Sequence, residues 1–213
     1  MGSGRQIYSP ENLQMKDFLN KSYKDTTIEE TAALYDEWAP EYDEVSLKYE
    51  RYMYPLILTG LWCRYILDKN IHTLDIGCGT GLHTTALSTI DYHNIEGIDI
   101  STGMLKEAKS KNNYKMLYKA SALDMPFKNN TFQAAMSTGV FTPGHVSPIG
   151  FWEVDRVLER SSMFIFTLRI DADSYRQELH NLPWTKIYET KEFAAMPGVD
   201  PDIISTMLVY QIQ

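Results

Sequence analysis

The spacing of apolar positions changes character near residue 70. Before it, Leu34, Tyr35 and Trp38 recur at helical intervals behind Thr27, with Glu30 three positions after that cap, and predict a helix over 27–39. A second helix is predicted over 52–69, with Leu56, Gly60, Cys63 and Leu67 as its apolar stripe. Upstream, Ser9-Pro10-Glu11 is a cap followed by proline at the first helical position, and opens a weakly amphipathic, loosely attached helix to Tyr23. After residue 70, short apolar runs alternate with helical patterns. Strands are predicted at 73–76, 94–100, 115–119, 132–137 and 163–168. Helices are predicted over 82–90, after the Ser101 cap with Met104, Leu105 and Ala108, and after Ser147-Pro148 with Phe151, Val154 and Leu158. The run at 163–168 is almost wholly apolar, as in a strand covered on both faces. This alternation predicts an α/β fold with a mostly parallel sheet and helices on both faces. Residues 184–193 and 205–212 read as strands with no long helix between them, so they should close the sheet as an antiparallel edge pair.

Length and composition narrow the class. The 213 residues suit one domain, with 44% hydrophobic and 23% charged positions as in an ordinary globular chain. Residues 1–26 are expected to form a partly flexible extension, and 27–213 a single domain whose segment 27–69 is a helical lid. A formal net charge of −8 argues against nucleic acid and against an anionic membrane as partner. Two cysteines, Cys63 and Cys78, are too few for a disulfide framework, and the expected compartment is the cytoplasm. No secretory signal is expected at the start, and the longest apolar run, 55–63, is too short to span a bilayer. His72, His83, His93 and His180 lack ligand spacing, so no metal site is expected; a monomer is.

The chemistry concentrates where the first strand hands over to a helix. In Asp75-Ile76-Gly77-Cys78-Gly79-Thr80-Gly81 the glycines allow a sharp bend and a close ligand approach, and the following helix offers free N–H groups. Asp99 ends the next strand, where a carboxylate accepts both hydroxyls of a ribose or, alternatively, faces the dipole of the helix at Ser101. The glycine spacing differs from the G-x-G-x-x-G of dinucleotide sites, which disfavours a nicotinamide-dependent reductase. An ammonium, a carboxylate and a ribose together describe S-adenosylmethionine, with Asp75 suited to the ammonium.

These residues carry a resemblance. Residues 74–81, Gly97-Ile98-Asp99-Ile100-Ser101 and Met104-Leu105 resemble the first two motifs of class I S-adenosylmethionine-dependent methyltransferases. Ala122-Leu123-Asp124-Met125-Pro126-Phe127 resembles their adenine-edge motif, 132–137 their fourth strand, and 153–158 the helix before the fifth. Within that superfamily, residues 35–43 and 139–146 look like the Williams–Beuren syndrome critical region methyltransferase-like group. The resemblance implies a Rossmann-like, seven-stranded sheet. It implies that Gly77 and Gly79 lie against the methionine part, with Cys78 packing inside the turn and Asp75 orienting it or reaching the ammonium through water. Asp99 holds the ribose, Ile100 and Met104 sandwich the adenine, and Ser121, Ala122 and Leu123 follow its edge; periodicity alone also fits Ile100 and Met104 as core residues.

Three positions depart from the family pattern: Ser121 stands for an acid, Gln133 for an aspartate, and Glu159-Arg160-Ser161-Ser162 for a Lys-Pro-Gly-Gly turn expected opposite the cofactor. Tyr35, Trp38 and Tyr42 recur at about one-turn spacing, either docking their helix or facing a sulfonium cation as a lid, and both can hold together. Thr138 to Phe141 follow the fourth strand, where the class presents the acceptor, with Thr138 itself expected among the cofactor-binding residues, and His145 in the same loop is the candidate general base or a loop-orienting residue. Arg169 is expected to pair with Asp171. The expected activity is in-line methyl transfer to a small-molecule or protein acceptor, leaving S-adenosyl-L-homocysteine. The alternative is an S-adenosylmethionine-binding interaction module without transfer. Acceptor determinants are expected in 14–54, 141–149 and 171–185.

Overall fold

A computed structural model of the protein describes residues 21–22 and 27–213. The helix expected over 10–23 and the extension 1–26 thus lie outside the described residues, apart from Lys21 and Ser22, which are helical. Helix α1, Ile28–Trp38, starts at the expected box: the Glu30 N–H donates to Thr27 Oγ1 at 3.2 Å, and the Thr27 N–H to Glu30 Oε2 at 2.9 Å. A short α2, Tyr42–Val45, runs into a π-helical turn, Ser46–Glu50, which ends at Arg51 in the left-handed region. Helix α3, Tyr54–Tyr65, buries Tyr54, Leu58, Leu61 and Trp62. The expected stripe is therefore the wrong face: Leu56 is 69% exposed, Leu67 is 80% exposed, and Cys63 is exposed as well. Apolar residues surround this helix on all sides, and the face with the larger rings took the core.

The sheet follows as β1 (Thr73–Ile76), α4 (Leu82–Ser88), β2 (Ile95–Asp99), α5 (Thr102–Ser110), β3 (Met116–Lys119), β4 (Phe132–Ser137), α6 (Gly150–Val157) and β5 (Leu158–Arg169). Helix α7 (Asp173–Asn181) and strands β6 (Trp184–Glu189), β7 (Phe193–Met196) and β8 (Asp200–Ile212) complete it. The order is β3-β2-β1-β4-β5-β8-β6, parallel through β5 and antiparallel at β8. This is the mostly parallel α/β sheet with an antiparallel ending, but with eight strands rather than seven. The eighth arises because β8 is 13 residues long. Its second half lies between β5 and β6, while its first half folds back on β7 as a hairpin, Phe193 opposite Ser205 and Met196 opposite Asp200. Residues 184–193 thus split between two strands.

Two further expectations change. Residues 159–162 form no loop but a bulged stretch of β5, with Ser161 left-handed at φ 70°. Leu158 begins that strand instead of ending α6, and α7, which buries Tyr175 and Leu179, has no counterpart in the sequence reading. The core lies on both faces of β5 and β8. Phe164 and Phe166 stack on each other and meet Phe141, Phe151, Trp184 and Tyr210 edge-on or tilted on one face. Ile165, Met207 and Val209 meet Leu58 and Trp62 of α3 on the other. Arg169 pairs with Asp171 through two bonds of 2.9 and 2.5 Å, as expected. Among the described residues no helix is long and apolar enough to cross a membrane.

Candidate active site

A cavity opens at the carboxyl ends of β1, β2 and β4, where an open α/β sheet binds its ligands. The turn after β1 has Gly77, Gly79 and Gly81 at φ of 66°, 53° and 76°, a region costly for residues with a Cβ. A Cβ on Gly77 would stand 2.3 Å from Val140 Cγ2, whereas one on Gly79 would meet nothing within 4 Å. Gly79 is thus the open side of the bend, and both glycines line the cavity. Asp99 lines it too. Its Oδ2 accepts the Gly79 N–H at 2.9 Å, its Oδ1 the Ser101 N–H at 2.8 Å, and burial raises its pKa. A carboxylate has about four lone-pair sites. The two backbone donors leave capacity for the paired hydroxyls of a ribose, so the residues fit an adenosyl cofactor. At the start of α5, Ser101 Oγ accepts the Met104 N–H at 3.0 Å, and the acid facing that helix end is Asp36 of α1.

Asp75 and Cys78 do not line the cavity. Asp75 is 3% exposed and accepts the Tyr114 hydroxyl at 2.6 Å; burial, with a smaller push from Asp99, raises its pKa to about 7. Of the two roles expected of Asp75, this position behind the turn suits orienting it rather than meeting an ammonium. Cys78 is also buried, with Sγ 2.9 Å from where a Cβ of Gly97 would stand, and burial pushes its thiol well above the ordinary value. The remaining candidates converge on one cavity: Ile100, Met104, Ser121, Ala122 and Leu123 at one end, Thr138 and His145 at the other, and Tyr35, Trp38 and Tyr42 over the top. Met104 is fully buried and Ile100 half-buried, so each serves core and cavity together.

Two carboxylates fasten the aromatic roof. Asp36 Oδ1 accepts the Ser101 hydroxyl at 2.6 Å and the Gly103 N–H at 2.7 Å, which together hold its pKa below the ordinary value although desolvation opposes them. Gly103 admits that approach because a Cβ there would lie 2.9 Å from Asp36 Cα. Further along, Asp43 pairs with Lys111 at 2.5 Å and accepts the Thr80 hydroxyl at 2.5 Å, tying α2 to the glycine turn. Trp38 and Tyr42 meet edge-on at 4.6 Å between ring centroids.

The far end is built from residues distant in sequence. Tyr52, Tyr54, Val140 and Met196 join Thr138 and His145 there, whereas no residue of 171–185 lines the cavity, which corrects that part of the acceptor expectation. His145 Nδ1 lies 3.0 Å from the Gly139 carbonyl, an acceptor only, so this nitrogen carries the hydrogen. Its Nε2 stands 3.4 Å from the Tyr35 hydroxyl, the Ser22 backbone also bonds the ring, and burial lowers the imidazole pKa. His83, read as scattered, sits behind the wall with Nε2 2.6 Å from Thr138 Oγ1, and burial lowers it to about 4. The only signal for it was its place one position into the helix after Gly81, and nothing in the pattern singled out Tyr52, Tyr54 or Met196.

Residues 74–166 match the family model described as a methyltransferase domain. Human methyltransferase-like protein 27 is 30% identical over 117 residues, 53% of this chain and 47% of that protein. The chain spans about half the length of the first curated relatives it matches. Among solved structures, the [4+2]-cyclase SpnF superposes with a TM-score of 0.71 at 14% identity, covering 88% of this chain and 97% of that one. A Thermotoga maritima protein titled an SAM-dependent methyltransferase, possibly a histamine N-methyltransferase, gives a TM-score of 0.62 at 16% identity, with 85% and 99% covered. Residues 74–166 thus match the pattern of a methyltransferase domain, and the chain shares its fold with these solved structures.

Proposed function

We infer that the protein transfers a methyl group from S-adenosylmethionine to a small-molecule or protein acceptor. The observation that carries this is Asp99, anchored by two backbone N–H groups beside the open glycine bend, in one cavity with Thr138 and the aromatic residues Tyr52, Tyr54 and His145. A binding module without transfer has no use for that further lining. The cofactor supplies an electrophilic methyl on a cationic sulfur whose departure leaves a neutral thioether.

This chain's residues supply alignment and shelter. Gly77 and Gly79 let the main chain approach the methionine part, Asp99 accepts the ribose hydroxyls, and Ile100 and Met104 flank the adenine with Ser121, Ala122 and Leu123 along its edge. The Tyr35, Trp38 and Tyr42 rings face the cation and exclude water, a contact worth ~0.5–2 kcal/mol. His145, beside the Tyr35 hydroxyl, is placed to take a proton from the acceptor. Residues 35–43 and 139–146 set the chain near the Williams–Beuren methyltransferase-like group, a reading supported by the match to methyltransferase-like protein 27. We take it to act as a cytoplasmic monomer. Calorimetry with S-adenosylmethionine and S-adenosylhomocysteine, followed by transfer of labelled methyl to cell-extract fractions, tests the reading. Saturable heat with both compounds and a labelled product are expected; no heat from intact protein sinks it.

A further inference from the structure

We propose that the acceptor is a small, uncharged arene carrying a hydroxyl, with its ring against Tyr52 and Tyr54 and its hydroxyl on Thr138, which His83 holds in place. The proposal rests on the methyltransferase reading above and names the substrate class of the same cavity.

Charge is the first argument. Among the described residues lining the cavity, Asp99 is the sole carboxylate and no lysine or arginine appears, and Asp99 belongs to the ribose end. Arg169 exerts its field on Tyr54 and His145, but it does not line the cavity and is held in a two-bond pair with Asp171. A carboxylate or ammonium entering the far end of the cavity would lose its water with no counter-ion to meet it. Shape is the second. Tyr54 is 4% exposed, and its hydroxyl is bonded to Ser205 Oγ at 2.7 Å, away in the C-terminal strands. Its ring therefore meets the cavity without its polar tip, 4.8 Å from the Tyr52 ring. Aromatic rings lining a cavity favour an aromatic guest.

Thr138 supplies the third argument. It directly follows β4, beside Gly139, and lines the cavity together with Gly77. Its hydroxyl has one hydrogen and two lone pairs, and one of these is committed to His83 Nε2 at 2.6 Å. If the histidine accepts, Thr138 keeps a lone pair for a donor; if the histidine donates, Thr138 keeps its own hydrogen for an oxygen. A guest hydroxyl satisfies both cases, and a bare arene satisfies neither. His83 acts only through Thr138, which makes it a positioning residue. Size is the last argument: the roof is latched at Asp36 and Asp43, so the cavity suits a free small molecule.

The test uses the full chain and four fluorinated probes observed by fluorine NMR: 4-fluorophenol, fluorobenzene, 4-fluorobenzoate and 4-fluorobenzylamine. Binding of S-adenosylhomocysteine is first established by calorimetry, and the probes are then titrated into the saturated complex. 4-Fluorophenol should bind about tenfold more tightly than each of the other three, the effect of roughly one well-made hydrogen bond. Thr138→Val should bring the phenol to the level of fluorobenzene, and Thr138→Ser should restore the gap. His83→Gln, which can still bond Thr138, should keep more of the gap than His83→Leu. If S-adenosylhomocysteine does not bind, the methyltransferase reading falls and this one with it. If it binds but the benzoate or the amine equals the phenol, or no probe binds, or Thr138→Val leaves the gap intact, only the acceptor class is overturned.

Discussion

The two walls of the cavity are held by different physics. The wall below, from β1 through the start of α5, is mostly main chain: left-handed glycines, an aspartate clamped by two backbone N–H groups, and a serine cap. Its groups lie within 30 residues of one another and cannot move without breaking strands in the middle of the sheet. The wall above is made of side chains brought from α1, the 52–54 segment, the loop after β4 and the end of β7. It is fastened by a few polar contacts, chiefly those of Asp36 and Asp43. A rigid floor suits a cofactor of constant shape, and a fastened but separable roof suits entry and release. The predictions below probe where the two walls meet, what each contributes, and how firmly the upper one is held.

The largest effect is expected where the walls touch. Gly77→Ala would force an alanine into φ 66° and drive its Cβ to 2.3 Å from Val140 Cγ2. Left-handed strain and overpacking each cost about 1–3 kcal/mol, so a loss of about 4 kcal/mol in urea unfolding is expected. Adding Val140→Ala removes the clash and leaves the strain, which should return roughly half of that loss. A single substitution that unfolds at the wild-type midpoint would mean that the walls do not meet there. Next in size is Asp99→Asn. It removes the negative charge facing the ribose hydroxyls and turns an amide N–H toward a backbone donor. Two charge-assisted bonds at about 1.5 kcal/mol each correspond to roughly 100-fold weaker S-adenosylhomocysteine binding, read by calorimetry. Unchanged affinity would detach the floor from the cofactor.

The same division explains what could be read from the chain. Gly77, Gly79, Asp99 and the Ser101 cap were legible because the residues that define their geometry are their sequence neighbours. Tyr54 was not, because its orientation depends on Ser205, 151 positions away, and His83 owes its role to Thr138, 55 positions on. For Asp75 two roles stayed open, orienting the turn or reaching an ammonium through water, because a strand buried at all four positions gives no alternation to tell the side. Its partner Tyr114 lies in a connection that no pattern marked. In α3, where every face is apolar, periodicity offered two stripes and only the packing of Trp62 against Tyr92 and the sheet chose between them. The eighth strand escaped because β7 and the start of β8 pair with each other across a short turn, and neither carries a long apolar run.

A third prediction concerns what lies behind the floor. Folded Asp75 keeps its proton up to about pH 7, whereas the unfolded chain releases it near the ordinary value of 3.8. Between those values the folded state binds the extra proton, so stability falls as pH rises, by at most about 1.4 kcal/mol per pH unit for this one group. Asp75→Asn can still accept the Tyr114 hydroxyl and should flatten that slope between pH 4 and 7. Equal slopes for the two proteins in urea titrations would show that Asp75 is ionised in the fold.

The smallest expected effect tests the fastening of the roof. Asp36 lies on α1 yet occupies the N-terminal end of α5, where it accepts from Ser101 and Gly103. Asp36→Ala removes an acceptor of capping type, worth about 1 kcal/mol of stability. Its pKa is held below the ordinary carboxylate value, so this contribution is present above the unfolded pKa and disappears as pH falls through the folded one. The variant should therefore differ from the parent near pH 7 and converge with it in acid. Because Asp36 sits on the roof helix and joins it to the floor only at the start of α5, the change should appear mainly as a few-fold faster release of S-adenosylhomocysteine in stopped flow, with the association rate nearly unchanged. Were release unaltered while stability dropped, Asp36 would be a cap for α5 alone, and the latch on the upper wall would rest with Asp43 and Lys111.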